Sequence, residues 1–139
     1  MKTKSIFCAV LMLVALQSCI WKNPSSKILG TWQLMNFQYA DQKKTVMPDS
    51  IRRIKIINAT HFNMVQYMTI PKIVQASAGG SYKYDGKNYS EIINWADASV
   101  AKYLNKEQKF KVKIVDNKLF LSGQLSSGEK IEEEWIKIE

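Results

Sequence analysis

Phe110-Lys111-Val112-Lys113-Ile114 alternates apolar and charged residues without a break. Successive side chains of a strand point to opposite faces, so this pattern describes a β-strand with one face buried and the other in water. Similar runs fill the chain from Leu29 onward. The strand-like stretch within Lys27–Tyr39 opens the series, and Ile51 to Ile57 is β-branched between Pro48-Asp49-Ser50 and Asn58-Ala59. Thr60 to Met68 and Ile73 to Tyr84 follow, the second containing Gly79-Gly80. Asp85-Gly86 then separates two aromatic-rich runs. That dipeptide favours a two-residue hairpin, because both central turn positions need positive φ. Tyr89 to Trp95 is the returning strand. After Phe110–Ile114 come an Asp116-Asn117 turn, a strand from Lys118 to Leu125 with a bend at Gly123, a Ser127-Gly128 turn and a last strand from Ile131 to Ile138. Asp97 to Leu104 is the one helical patch, with Val100 and Leu104 on one face at i,i+4.

About eight strands joined by short turns leave no room for parallel crossovers. The expected fold is therefore all-β: an antiparallel eight-stranded up-and-down β-barrel with one short helix. A barrel of this size holds its own side chains or one small ligand. A two-sheet sandwich is the competing architecture. Its immunoglobulin form is disfavoured, because the Cys-Trp-Cys pattern is missing.

The start of the chain does not belong to the domain. Lys2 and Lys4 precede an apolar run, Ile6 to Leu16, of 11 residues. A helix that crosses a bilayer needs roughly 20, whereas a secretory leader needs only such a run. Leu16-Gln17-Ser18-Cys19 resembles the lipobox of bacterial lipoproteins, with Leu at −3, a small residue at −1 and cysteine at +1. The chain has two cysteines, Cys8 and Cys19, and Cys8 lies in the leader. Lipid on Cys19 would account for the remaining thiol and anchor the protein, since two or more acyl chains give stable membrane binding. We expect residues 1–18 to be a lipoprotein signal peptide, 19–27 the lipidated N-terminus and a polar tether, and 28–139 the barrel domain. The expected location is the cell envelope, as an outer-membrane lipoprotein facing the periplasm. The formal charge of +8 falls by two with the loss of Lys2 and Lys4. The lysines are scattered and an exported protein seldom meets nucleic acid, so nucleic acid is not an expected partner.

Gly30-Thr31-Trp32 opens the first strand, and this Gly-x-Trp resembles the start of the lipocalins and their calycin relatives. The resemblance implies that Trp32 closes the base of the barrel. It also implies that a basic residue of the last strand, here Lys137 where the family more often has arginine, packs across the ring. A closer likeness is to small lipocalin-like lipoprotein domains of Gram-negative bacteria. That likeness rests on Leu29-Gly30-Thr31-Trp32, Thr60-His61-Phe62, Gly79-Gly80-Ser81-Tyr82, Tyr89-Ser90-Glu91 and Glu133-Glu134-Trp135. It implies a fold and no particular activity. Burying an indole removes roughly 150–250 Å² from water, worth at most about 4–6 kcal/mol. Trp32 therefore reads as structure before function.

Chemistry is sparse. His61 is the single histidine, with no Gly-x-Ser-x-Gly to make a triad and, once Cys19 carries lipid, no free cysteine to help make a zinc site. Gly79-Gly80 lacks the Lys-Ser/Thr of a phosphate loop. No catalytic residue, metal or cofactor is expected. Glu132-Glu133-Glu134 reads as a solvated edge. Glu91 alternates with Tyr89, Ile93 and Trp95, so an inward face would make it a buried carboxylate needing Arg52, Arg53, a lysine or a ligand. Phe62, Met64, Tyr82, Tyr84, Tyr89, Glu91 and Trp95 are the candidate ligand contacts. Aromatic and methionine-rich strands of this kind line pockets for small apolar or amphipathic molecules, and they also make ordinary cores. The alternative is a non-enzymatic interaction module with a filled barrel. An inward Trp32 would carry Leu34 and Asn36 inward and leave Met35 and Phe37 outside, with the 97–104 helix as their cover.

Overall fold

A computed structural model describes residues 24–139. The leader and Cys19 lie outside the described residues. The strands are β1 (Gly30–Tyr39), β2 (Thr45–Val46), β3 (Ile51–Ile57), β4 (His61–Met68), β5 (Val74–Tyr84), β6 (Asn88–Ala96), β7 (Glu107–Val115), β8 (Lys118–Gln124) and β9 (Lys130–Lys137). Every pairing is antiparallel, each strand from β3 onward pairs with the next, and β9 returns to β1. The result is a closed eight-stranded barrel with β2 as an extra ribbon. Closure removes the sandwich alternative. β3 stays beside β1 only from Gly30↔Ile57 to Gln33↔Ile54. Beyond that point β2 takes its place, opposite Asn36 and Phe37.

The two ends differ. The short turns at Asn58–Thr60, Asp85–Lys87 and Asp116-Asn117 share one end with Gly30 and Glu139. Pro24–Ile28, at the end of the expected tether, forms a 3-10 turn that tucks Ile28 under the barrel. Its carbonyl accepts a 2.8 Å hydrogen bond from Trp32 Nε1. Gly30 stands at φ 126°, and a Cβ there would fall 2.4 Å from the Glu139 carbonyl oxygen and 2.6 Å from Lys137 Cε. Only glycine lets the last strand cross the first so closely.

Two expectations need correction. The 97–104 patch is a 3-10 turn at Ala101–Tyr103 and no helix. A segment this short cannot meet the cost of helix nucleation. Asp97 instead accepts bonds from Ser99 N (2.7 Å) and from Ser77 Oγ (3.0 Å). Val100 and Leu104 still pack on the core from this irregular loop. The orientation of β1 also differs. Leu34 faces Trp135 and Asn36 faces Glu134, so Met35 is the extra residue of a β-bulge. A bulge shifts the alternation by one. Trp32 and Leu34 point inward, Met35 and Asn36 point outward, and Phe37 and Tyr39 return to the inside. No helix is needed to cover Phe37.

Candidate functional site

The barrel interior is divided across its length. Toward the closed end Trp32, Ile57, Tyr89, Val112, Leu119 and Trp135 meet around a gap of about 10 Å³. That is one water's worth of room at most. Lys137 Nζ lies 5.4 Å from the Trp32 ring centroid, within cation–π range. Toward the open end a cavity of about 210 Å³ remains. Its origin is local. β5 presents Ala76 and Ala78 where the other strands around the cavity present Phe62, Met64, Ile93, Phe110, Leu121 and Ile131. Val100 and Tyr103 of the 3-10 loop, with Leu125, stand over the mouth.

The boundary between the halves is charged. Lys55 on β3 and Glu91 on β6 are both buried and pair at 3.0 Å. The Lys55 ammonium also faces the rings of Phe62, Tyr89 and Trp135 at 5.2, 5.7 and 5.6 Å. Tyr89 donates its hydroxyl to the same Glu91 oxygen, Oε2, at 2.9 Å. Nearer the mouth, Glu133 Oε1 accepts from Tyr39 at 2.8 Å and pairs with Arg53 at 3.4 Å, while its Oε2 accepts from Trp135 Nε1 at 3.0 Å. Arg53 also bonds to Tyr39, and its Nε donates to Gln66 at 2.8 Å. Burial, and then the Glu133 charge, hold the Tyr39 phenol well above its ordinary range, against the pull of Arg53. Burial and then Glu91 do the same to Tyr89. Both phenols therefore stay protonated and serve as donors. Gln108 completes the wall, donating to Ser126 Oγ at 2.9 Å and accepting from Ser126 N at 2.7 Å.

The candidate contacts named from the sequence are spread over several places. Phe62, Met64 and Glu91 line the cavity. Tyr89 lies beneath it, in the packed half. Tyr82 is at the closed end, with its hydroxyl donating to the Asn58 carbonyl at 2.7 Å and its ring 5.5 Å from that of Tyr89. Tyr84 borders an open external groove of about 630 Å³ with Lys83, Lys109 and Lys111. That groove is larger than the cavity, but it lacks the enclosure and the convergent buried polar groups that mark a ligand site. Trp95 faces outward. Gly79 pairs with Trp95 and Gly80 with Ile93, so Asn94 is a bulge that breaks the phase shared by Tyr89, Glu91 and Ile93. The Trp95 ring then lies on Gly79, where a Cβ would come within 2.4 Å of it. His61 is exposed at the start of β4, with Nδ1 2.7 Å from Thr60 Oγ1.

Tyr39, Lys55 and Gln108 were not singled out by sequence reasoning, and Glu133, read as part of a solvated acidic edge, is buried. Glu133 had a usable signal, because Ile131, Glu133 and Trp135 alternate and all three are buried. The middle member of the acidic run thus points into the barrel.

No protein-family model matches the chain, and no curated protein sequence matches it. Solved structures do. A lipocalin-like protein from Bacteroides uniformis superposes with a TM-score of 0.59 at 20% identity, over 81% of this chain and 99% of that one. An uncharacterized protein from Bacteroides eggerthii gives 0.57 at 23% identity, over 78% and 98%. A redesigned β-barrel gives 0.55 at 14% identity, over 84% and 96%. The fold is lipocalin-like, and at these identities the likeness is one of fold alone.

Proposed function

We propose that the protein binds one small, mostly apolar molecule in the open half of its barrel, and that lipid on Cys19 holds it to the outer membrane, facing the periplasm. The observation that carries the reading is the cavity of about 210 Å³, left by Ala76 and Ala78 among large side chains and bordered by two ion pairs. A dry protein cavity of about 150 Å³ admits benzene, while drug-sized ligands occupy roughly 300–1,000 Å³. The occupant is then about the size of a substituted single ring. The reading is of a binder and no catalyst: both oxygens of Glu133 are engaged and Glu91 is neutralised by Lys55. That leaves no free acid–base pair among the two buried carboxylates.

Native mass spectrometry of the protein taken from its own host membranes tests this. A co-purifying mass that disappears in Ala78→Leu, whose side chain fills the cavity, is the expected result. A protein that carries nothing, and whose stability Ala78→Leu raises without changing any ligand response, would refute it. Cys19→Ser should move the protein from the membrane to the soluble envelope fraction; unchanged fractionation would refute the anchor. A second reading, an envelope interaction module, is favoured by one observation. Ile56, Ile92 and Trp95 are 49%, 40% and 46% exposed on the outer face of β3–β6. Cross-linking in native membranes that depends on Trp95 would support it over the first.

A further inference from the structure

We propose that the molecule held in the cavity is uncharged and carries one hydrogen-bond donor, which it gives to Glu91 Oε1. The proposal rests on the small-ligand reading and specifies its chemistry. Glu91 is 7% exposed and lines the cavity. Its two protein partners, Lys55 Nζ and Tyr89 Oη, both bond to Oε2. Among the described residues nothing bonds to Oε1. Yet no fully buried side-chain nitrogen or oxygen lacks a partner among them. Oε1 is therefore in reach of a water-sized neighbour, and for an inward side chain on β6 that neighbour stands in the cavity. A buried carboxylate oxygen without a partner is costly, and a donor from the ligand removes the cost.

The charge of the ligand follows from the surroundings. Arg53 pairs with Glu133 and Lys55 with Glu91, so the buried charges already balance. Glu129 stands apart at the open rim, in the β8–β9 turn. A cation at Oε1 would share one carboxylate with the Lys55 ammonium, at like-charge distance and in a low-dielectric site. An anion would face Oε1 itself. A neutral hydroxyl or ring N–H fits both constraints. The rest of the wall, Phe62, Met64, Ile93, Phe110 and Leu121, suits an aromatic or branched apolar body.

The test is isothermal titration of the full chain in detergent micelles, with protein-free micelles as blank and three probes: phenol, toluene and benzylammonium. Phenol should bind roughly tenfold or more tighter than toluene, as a net charge-assisted hydrogen bond would give, and benzylammonium should bind weakest. Glu91→Gln should cut phenol affinity severalfold and leave toluene unchanged. That variant also leaves Lys55 without its counter-charge, so the wild-type ranking stands as a test by itself. Equal affinity for phenol and toluene would overturn the donor assignment while leaving a small apolar site in place. Benzylammonium as the tightest probe would overturn it in favour of a cation site. Binding of none of the three at millimolar concentration would overturn both this proposal and the reading beneath it.

Discussion

Lys55 is the most exacting place to test how this barrel is held together. Its side chain is 11% exposed and that of Glu91 10% exposed, so neither charge is screened well by water. Removing one member of a buried ion pair commonly costs about 3–5 kcal/mol. The two removals are not equivalent here. Lys55→Met leaves the Glu91 carboxylate with only the Tyr89 hydroxyl, and should cost about 3–5 kcal/mol. Glu91→Gln leaves the ammonium over three ring faces at 5.2–5.7 Å, each worth about 0.5–2 kcal/mol, and the new amide oxygen can still accept its proton. That change should cost only about 1–3 kcal/mol. The double variant should fall short of the sum of the singles by about 1–3 kcal/mol. Urea unfolding of the full chain, followed by tryptophan fluorescence, measures all three, provided the denaturant slope is unchanged. If Glu91→Gln costs as much as Lys55→Met or more, the rings do not stabilise the ammonium and the account is wrong.

Three further outcomes are expected. The Asp97 carboxyl is lowered from 3.8 to about 2, chiefly by the Ser99 hydroxyl, and Glu134 to about 2, chiefly by Lys118. Folded values below the unfolded ones stabilise above about pH 4, and that contribution is lost as pH falls toward about 2. Backbone hydrogen exchange in the 97–106 loop, corrected for its intrinsic rate, should rise across that window, and the rise should vanish in Asp97→Asn. Lys137→Ala should cost about 0.5–2 kcal/mol, and Lys137→Arg should be neutral or stabilising, because a guanidinium stacks on indole; equal losses in both would deny the cation–π contact with Trp32. Trp95→Ala should leave the cavity intact, since the ring lies outside on Gly79; altered probe binding in that variant would show that the outer face and the interior are coupled.

Much of the fold was legible because period-2 alternation says which residues share a face. It says so only between bulges. The extra residues at Met35 and Asn94 shift the phase, and neither is marked by the glycine that often betrays a bulge. The expected faces of Phe37 and Trp95 differ from the observed ones for that reason alone. The candidate site was harder. Lys55, Arg53 and Glu133 are charged residues on strand faces that look solvated, until the barrel brings β3, β6 and β9 around one axis. Pairing across the interior of a barrel depends on strands far apart in sequence, and no local pattern records it. The cavity has the same origin: Ala76 and Ala78 read as unremarkable strand residues, and they leave space only because their neighbours are large.

The exchange of partners along β1 has a consequence for how the wall is held. Past Gln33, the first half of β3 is bonded to β4 alone, and the two-residue β2 ribbon covers the gap. Tyr39 and Arg53 flank that seam and also face the cavity. The two bridge pairs of β2 are made to β1, so no ladder joins β2 to β3 along this seam, and Arg53 closes it through Tyr39 and Glu133. The wall beside the mouth is thus held by side chains where the rest of the barrel is held by backbone ladders.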